Sequence, residues 1–509
     1  MVRRPQPHNP ALLLGELLRR DFTAFARKAW AWISAGESIA WNWHLDAIAY
    51  QLERVANGDN LRLILNLPPR NAKSKTISVI WVAWMLGQDP RRNFVCVSYS
   101  NELSGKLARD CLSIIQSPWY RELFPRTIIS ARRSAAMDFE TTMGGGRLAT
   151  SVTGTLTGRG GDTIILDDVI KPEEANSETT RNFVNDWYQS TLASRLNDKS
   201  SGAIILLMQR LHQNDLSGML LEAGGWEHLK IPAIAVEDQI VPLTRGRVHI
   251  RRSGDLLHPE REPIEVLEAL KAAMGSLAFA AQYQQDPVPA VGNVIRKEWF
   301  KTYEMAKFER TPGIVIQSWD TASKDNPHND WSVCITAVMR GSDIFLINVL
   351  RKRMQIFELR TRAIALANEY KPTVLLIEDQ ASGQQLLQLL RGEAHGPASS
   401  PIARHPEGDK LSRALGVSAM IEAGRVYLPS EAPWLADFTA ELLGFPNSRF
   451  DDQVDALSQL LGWVRQKDMY HELPICGPIV MYADGDGPIC SSDDDSPMPY
   501  GAINDPWGP

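Results

Sequence analysis

Along this chain short, fully apolar runs alternate with stretches of helical period, and the alternation occurs twice. In the first half LRLILNL, FVCVSYS, TIILDDV and GAIILLM read as strands. TISVIWVAWMLG, ELSGKLARDCLSIIQ, SETTRNFVNDWYQSTLASRL and NDLSGMLLEAG read as the helices between them. Strands apolar on both faces and separated by helices predict a parallel sheet covered on both sides. Between them MDFETTMGGGRLATSV predicts a hairpin turned by Gly144–Gly146. From Gly313 a second unit begins. GIVIQSWD, WSVCITAVM and DIFLINVL are three consecutive strand-like runs, predicting an antiparallel meander. Helix FELRTRAIALANEY, strand TVLLIED, helices SGQQLLQLLRG and KLSRALGVSAMIEAG and strand RVYLP follow. That is the order of a ribonuclease H-like sheet.

These patterns divide the chain into five stretches. Residues 1–56 are helical and rich in tryptophan (Trp30, Trp32, Trp41, Trp43). They read as a cap over the first core or as an adenine-contacting element, with His44 its notable polar residue. Residues 57–231 form the first α/β domain. Residues 232–312, punctuated by prolines, read as a linker region with one helix, PIEVLEALKAAMG. Residues 313–467 form the second α/β domain. Residues 468–509, acidic and rich in Gly, Pro and Ser, bury too little apolar surface to order themselves and are expected to be disordered.

With 509 residues the chain exceeds one ordinary core, and 44% apolar and 22% charged residues suit a soluble globular protein. A formal net charge of −6 means that nucleic-acid contact must come from local basic patches. The five cysteines show no metal-ligand spacing. Cys96, Cys111 and Cys334 lie in apolar segments as buried thiols, which fits a reducing cytosol. No run approaches the roughly 18 apolar residues that cross a bilayer, so no membrane partner is expected. MVRRPQPHNPALLLGELLRR reads as an ordinary helix, because Glu16 interrupts its apolar run and no cleavage site follows.

LILNLPPRNAKSKT runs from a buried strand into a helix, where a phosphate-binding loop belongs. Backbone amides of such a loop cradle phosphates, a lysine neutralises them and the next hydroxyl holds Mg²⁺. With Lys73 and Ser74 in the last two slots, Leu67 and Ala72 occupy the usual glycine positions. In the register of Lys75 and Thr76, Pro69 and Ser74 do. The candidate nucleotide contacts are Arg70, Asn71, Ala72, Lys73 and Ser74. Downstream, GGDTIILDDV ends an apolar strand in two aspartates, the form of a Walker B segment. Asp167 would bind Mg²⁺ and Asp168 would polarise the attacking water. Arg159, in TGRGG, is the candidate arginine finger acting on a neighbouring subunit's nucleotide, with Arg70 a second. Gln209 and Arg210 follow GAIILLM where sensor residues of such ATPases sit.

The second domain carries a separate acidic set. Hydrolysis of a phosphodiester by two metal ions needs carboxylates gathered from several elements. Asp320 ends the first strand of the meander and Glu378 ends the fourth strand, which would be its neighbour. Asp451, Asp452 and Asp455 open a helix, where residues three or four apart share a face. One or two of these three would join Asp320 and Glu378 at the metal. Asp330 and Asp379 lie near as supporting acids. His212, His328 and His405 are singletons and make no zinc site.

Taken together these segments resemble the large terminase subunit of tailed bacteriophages, prophage copies included. PPRNAKS resembles its atypical Walker A loop, LDDVIKPEEANSETTRN its Walker B segment and MQRLHQNDLSG the motif after it. WDTAS, LLIEDQASG and FDDQVDALSQ resemble its nuclease motifs. The departures are Ala72 where glycine is usual and Asp168 where glutamate is usual. The resemblance implies a RecA/ASCE-like P-loop ATPase domain followed by a ribonuclease H-like nuclease domain, using ATP with Mg²⁺, or Mn²⁺ in the nuclease. It implies double-stranded DNA, a small terminase subunit and a portal protein as partners, a homo-oligomeric ring on the portal, and the cytoplasm of a bacterial host as location. Phosphate contacts are then expected from Arg245, Arg247, Arg251, Arg252, Arg351, Lys352 and Arg353. The alternatives are a non-catalytic or degenerate prophage remnant and a helicase-like repair or restriction motor. The latter would need a second ATPase domain, and no second phosphate-loop segment follows residue 313.

Overall fold

The structure, a computed structural model, describes residues 10–471 except 157, 289–293, 310–311, 322–330, 392–397, 399, 407 and 449. The acidic tail from 472 onward, with Cys476 and Cys490, lies outside the described residues, as do His328 and Asp330. Among the described residues no helix is long and apolar enough to cross a membrane.

The first sheet has eight strands: β1 (Arg62–Asn66), β2 (Asn93–Ser98), β3 (Ile129–Ala135), β4 (Asp138–Thr141), β5 (Gly146–Ser151), β6 (Thr163–Asp167), β7 (Ala203–Met208) and β8 (Glu227–Lys230). Their order is β3-β4-β5-β2-β6-β7-β1-β8. From β5 to β8 all neighbours are parallel, and β3 and β4 are antiparallel additions carrying the expected hairpin. One strand separates β1 from β6, the arrangement of a RecA/ASCE-type P-loop domain.

Alternate residues of each central strand enter opposite cores. Leu63, Leu65, Ile165, Ile205 and Leu207 face helices Phe22–Ile33, Trp43–Asn57 and Asn101–Gln116. Ile64, Ile164, Leu166, Ile204 and Leu206 face helices Glu178–Trp187 and Leu216–Ala223. Two covered faces are why these strands carry no polar alternation. Each fully buried Leu or Ile contributes roughly 1.5–3 kcal/mol relative to exposure. The tryptophan-rich N-terminal helices are therefore a cap on the first core.

The stretch 232–312 holds more than the single helix that its composition predicts. Besides Ile264–Met274 it forms helix Ser276–Gln282 and the hairpin of β9 (Gln239–Pro242) and β10 (Val248–Arg251). Val241, Leu243 and Leu257 enter the first core, and Val294 and Ile295 enter the core of the second sheet. Pro242 ends β9, and Pro263 precedes helix Ile264–Met274 as its N-cap.

The second sheet comprises β11 (Lys301–Tyr303), β12 (Ile314–Asp320), β13 (Ser332–Arg340), β14 (Asp343–Lys352), β15 (Val374–Glu378), β16 (Ile402–Arg404) and β17 (Val426–Pro429). Its order is β11-β17-β14-β13-β12-β15-β16. β12, β13 and β14 are the expected antiparallel meander, and β15 and β16 add parallel beside β12. This is a ribonuclease H-like sheet with β17 and β11 added at its other edge. Both sheets lie within one compact unit that runs to Arg465.

Candidate functional site

The loop after β1 leads into a helix that begins with a π-helical stretch, Lys75–Trp81. Arg70 and Ala72 have left-handed φ values of 59° and 61°, whereas Asn71 between them does not. Alternation of that kind turns successive amides to one side and makes a concave nest for an anion. A Cβ disfavours the left-handed region, which is why glycine usually occupies such positions.

Lys73 and Ser74, not Lys75 and Thr76, meet the acidic pair at the end of β6. Lys73 Nζ is 2.8 Å from Asp168 Oδ1, and Ser74 Oγ donates to Asp167 Oδ1 at 2.8 Å. Ser78, one turn further on, donates to Asp167 Oδ2 at 2.5 Å. Lys75 lies instead 4.8 Å from the centroid of the Trp30 ring. Burial, and then the charge of Asp168, raise the pKa of Asp167 to about 7 against the pull of Ser78, Ser74 and Lys73. An amide nest, a lysine, a hydroxyl and a buried carboxylate form the donor set that a nucleotide phosphate and its hard divalent cation require.

The remaining nucleotide-side candidates divide. Arg70 is exposed at the nest. Arg159 precedes β6 and pairs with Asp138, so it lies at the sheet edge opposite the phosphate loop of its own chain. Arg210 Nε lies 3.1 Å from each Asp215 oxygen, and Asp215 caps helix Leu216–Ala223, so Arg210 braces the loop. Gln209, buried at the end of β7, keeps a side-chain oxygen with no donor among the described residues. His44 is buried beside the Asn71 backbone, and desolvation lowers its pKa to about 3. Two residues escape a sequence reading: Ser78, one helical turn beyond Ser74, and Arg261, which reaches the loop from the far stretch and donates to Arg70 O and Asn71 Oδ1. Only the four-residue spacing could have signalled the first; nothing local signals the second.

In the second sheet Trp319 pairs with Ile377 across the parallel neighbours β12 and β15. Asp320 and Glu378 are the next residue on each strand, so they stand side by side at one edge, close enough for each to feel the other's charge. Helix Asp452–His471 is tied to β12 by Ser318 Oγ, which donates to Ala456 O at 2.8 Å, and by Gln459 Nε2, which donates to Ser318 Oγ at 2.9 Å. This docking brings the aspartate triplet to the same edge, where its members part. Asp455, buried, accepts from Arg413 Nη2 at 2.6 Å and lies 3.0 Å from Lys410 Nζ. Asp451 pairs with Lys410 at 2.6 Å. Asp452 lies 4.0 Å from Arg351, which also pairs with Glu441 at 3.2 Å.

Desolvation first, then the charges of Glu378, Asp455 and Asp452, push the pKa of Asp320 well above the carboxylate range. Glu378 is raised as well, again by burial first. Burial, Glu441 and Asp451 raise Asp452 to about 6. Carboxylates that raise one another's pKa in this way are stabilised by an added cation. Among the described residues no three His, Cys, Asp or Glu side chains are gathered around one point, and Lys410 and Arg413 neutralise Asp451 and Asp455. Asp320 and Glu378 are nonetheless oxygen donors withdrawn from water, the chemistry that Mg²⁺ or Mn²⁺ takes, while Asp455 is occupied by Arg413 and Lys410. Asp379 stands apart, 3.1 Å from His405.

The basic residues expected to meet DNA are engaged within the chain. Arg251 is a correction: it is fully buried, and its Nη2 donates to Pro232 O, Ala233 O and Asp255 O. Arg245 pairs with Asp21, Arg247 with Asp46 and Arg252 with Asp238. Arg351 lies 4.6 Å and Arg353 4.5 Å from the centroid of the Trp331 ring.

Comparison with known proteins bears on the second domain above all. No curated protein matches the chain. Among solved structures, the large terminase of a thermophilic bacteriophage in complex with ADP is 12% identical. It matches with a TM-score of 0.49, over 82% of this chain and 98% of that one. The HK97 bacteriophage large terminase is 11% identical with a TM-score of 0.34, over 86% and 99%. The human cytomegalovirus terminase nuclease domain, Mn soaked and inhibitor bound, is 10% identical with a TM-score of 0.25, over 35% and 96%. A family model described as the terminase RNaseH-like domain matches residues 317–462, a span that contains Asp320, Glu378 and the aspartate triplet. Residues 317–462 thus match the terminase RNaseH-like domain in the stretch whose motifs predict it.

Proposed function

We propose that the chain is the motor and nuclease subunit of a viral DNA-packaging machine, the large terminase subunit. ATP hydrolysis drives double-stranded DNA into a procapsid, and a metal-dependent endonuclease cuts concatemeric DNA at initiation and termination. One observation carries the reading. The Asp320–Glu378 pair lies in a terminase RNaseH-like domain, on the same chain as a lysine–serine loop docked on Asp167 and Asp168.

At the first site, incoming phosphates compete with Asp168 for Lys73. Asp168, once released, accepts the proton of the attacking water, and the amides of residues 70–74 hold the phosphate oxygens. Ser74 and Asp167 would hold Mg²⁺, which supplies charge neutralisation in phosphoryl transfer. Arg159, at the far edge of its own sheet, acts on a neighbouring subunit's nucleotide. At the second site Asp320, Glu378 and Asp455 would hold Mg²⁺ or Mn²⁺, which supply Lewis acidity for hydrolysis of the phosphodiester. Asp452 and Asp451 complete the acidic wall. The work divides between an ATPase domain at 57–231 and a nuclease domain at 313–467. The protein acts in the bacterial cytoplasm as a ring on the portal, with DNA selected by a small terminase subunit.

The test is cleavage of plasmid DNA by the purified protein with Mg²⁺ or Mn²⁺, beside Asp320→Ala. Metal-dependent cutting that the variant lacks supports the reading. A folded wild-type protein that leaves DNA intact with either metal counts against the nuclease.

A further inference from the structure

We infer that Arg261 is a positioning residue for the phosphate loop, holding the left-handed turns that glycine would otherwise make easy. The inference rests on the reading of residues 67–74 as a nucleotide-phosphate loop.

The segment LPPRNAKS contains no glycine, yet its backbone is left-handed at Arg70, φ 59°, and at Ala72, φ 61°. Two L-residues held there on either side of Asn71 relax unless neighbouring groups over-determine the conformation. Two sets of contacts do so. Asn71 is wholly buried, and its Nδ2 donates to Pro69 O at 3.1 Å and to Pro68 O at 3.4 Å, closing the loop on its own entry. Arg261 Nη1 donates to Arg70 O and Nη2 to Asn71 Oδ1, each at 2.8 Å. The guanidinium thus grips the loop at the residues before Ala72 with two parallel donors, a geometry that a lysine ammonium cannot supply.

Arg261 itself is anchored. It lies in a turn in which Arg261 N and Glu262 N both donate to His258 O, at 3.1 and 2.8 Å. His258 and the preceding Leu257 are buried, Leu257 O accepts from Asn42 Nδ2 at 2.6 Å, and Glu262 Oε2 lies 3.1 Å from Arg261 Nη2. The clamp is therefore built from the stretch after the first sheet and holds the loop that follows β1 within it. No contact with a phosphate is needed for this role. Arg261 shapes the amide nest and leaves the charge contacts to Lys73.

The experiment uses the full chain as wild type, Arg261→Ala, Arg261→Lys, Ala72→Gly and the double variant Arg261→Ala/Ala72→Gly. Two readouts are taken: affinity for a fluorescent ADP with Mg²⁺, and amide exchange of residues 70–73 without nucleotide. Arg261→Ala is expected to weaken ADP binding about tenfold and to speed loop exchange by a similar factor, on the scale of left-handed strain. Arg261→Lys should lose most of the same ground, since it keeps the charge and loses the fork. In the Ala72→Gly background the loss of Arg261 should cost several-fold less, because one left-handed residue then needs no support. Equal losses in both backgrounds, or unchanged loop exchange in Arg261→Ala, overturn the clamp. A wild-type protein that binds no ADP sinks the nucleotide reading instead, and the exchange experiment still decides on the clamp.

Discussion

Lys73 Nζ lies 2.8 Å from Asp168 Oδ1, so the loop's cation and the second acid of the β6 pair hold each other's charge. Removing either charge should cost ATP turnover, and nothing ties that loss to the acidic edge of the second sheet. Lys73→Ala is expected to lower ATP hydrolysis at least about a hundredfold, the scale of losing one preorganised charge contact, and to leave plasmid cutting intact. Asp320→Ala should do the reverse. Phosphate release and agarose gels measure the two, and the loss of both activities in either variant would contradict separate sites.

Asp167 joins stability to function with opposite signs. Its folded pKa, raised to about 7, exceeds the ordinary aspartate value of 3.8. The stability it contributes is therefore present below pH 4 and is lost as pH rises through 7, where ionisation buries a charge. Asp167→Asn should stabilise the metal-free protein at pH 8 by on the order of 2 kcal/mol while abolishing ATP hydrolysis. Urea midpoints at pH 8 and pH 5 check this. A stabilisation as large at pH 5 as at pH 8 would refute the assignment.

His44 carries the other sign. Desolvation lowers its pKa from 6.5 to about 3, so the folded protein keeps it neutral while the unfolded chain protonates. Its share of stability is complete above pH 6.5 and falls on acidification toward pH 3, with a slope approaching about 1.4 kcal/mol per pH unit. His44→Gln should flatten the wild-type curve between pH 6.5 and pH 4. Parallel curves for the two proteins would show that His44 is not the buried neutral group described.

Arg413 neutralises buried Asp455, so Arg413→Gln leaves a carboxylate with Lys410 alone. Breaking a buried pair from one side costs about 3 kcal/mol, and an added divalent cation should recover part of it. Thermal denaturation with and without Mn²⁺ is the measurement. The variant should melt lower without metal and gain more from Mn²⁺ than wild type does, and an equal gain in both would count against a cation site at Asp455.

What could be read in the sequence follows from what each residue depends on. β1, β2, β6 and β7 announce themselves because two apolar layers cover them, and every residue of β6 and β7 is buried. β3, β8, β11 and β16 escape notice because they are short or polar sheet additions with few buried side chains. The acids at the second site were legible because strand ends and a helix start fix where Asp320, Glu378 and Asp455 emerge. Which member of the triplet turns inward was not, since Ser318 and Gln459 set the roll of the last helix. Arg251 misled for a similar reason: a basic run looks solvated until the hairpin folds one of its arginines beneath itself.

The docking of helix Asp452–His471 on β12 has a consequence for the order in which the chain becomes competent. Domains generally fold from the N-terminus as synthesis proceeds. Every residue from Arg70 to Asp168 has emerged well before Asp455, whose helix is the last described element. Arg261 follows soon after, and the second sheet later still. A nascent or prematurely terminated chain can thus complete the loop after β1 while Asp320 and Glu378 still lack Asp455 and the helix that carries it. Biosynthesis itself finishes the first of the two sites while the second is still open.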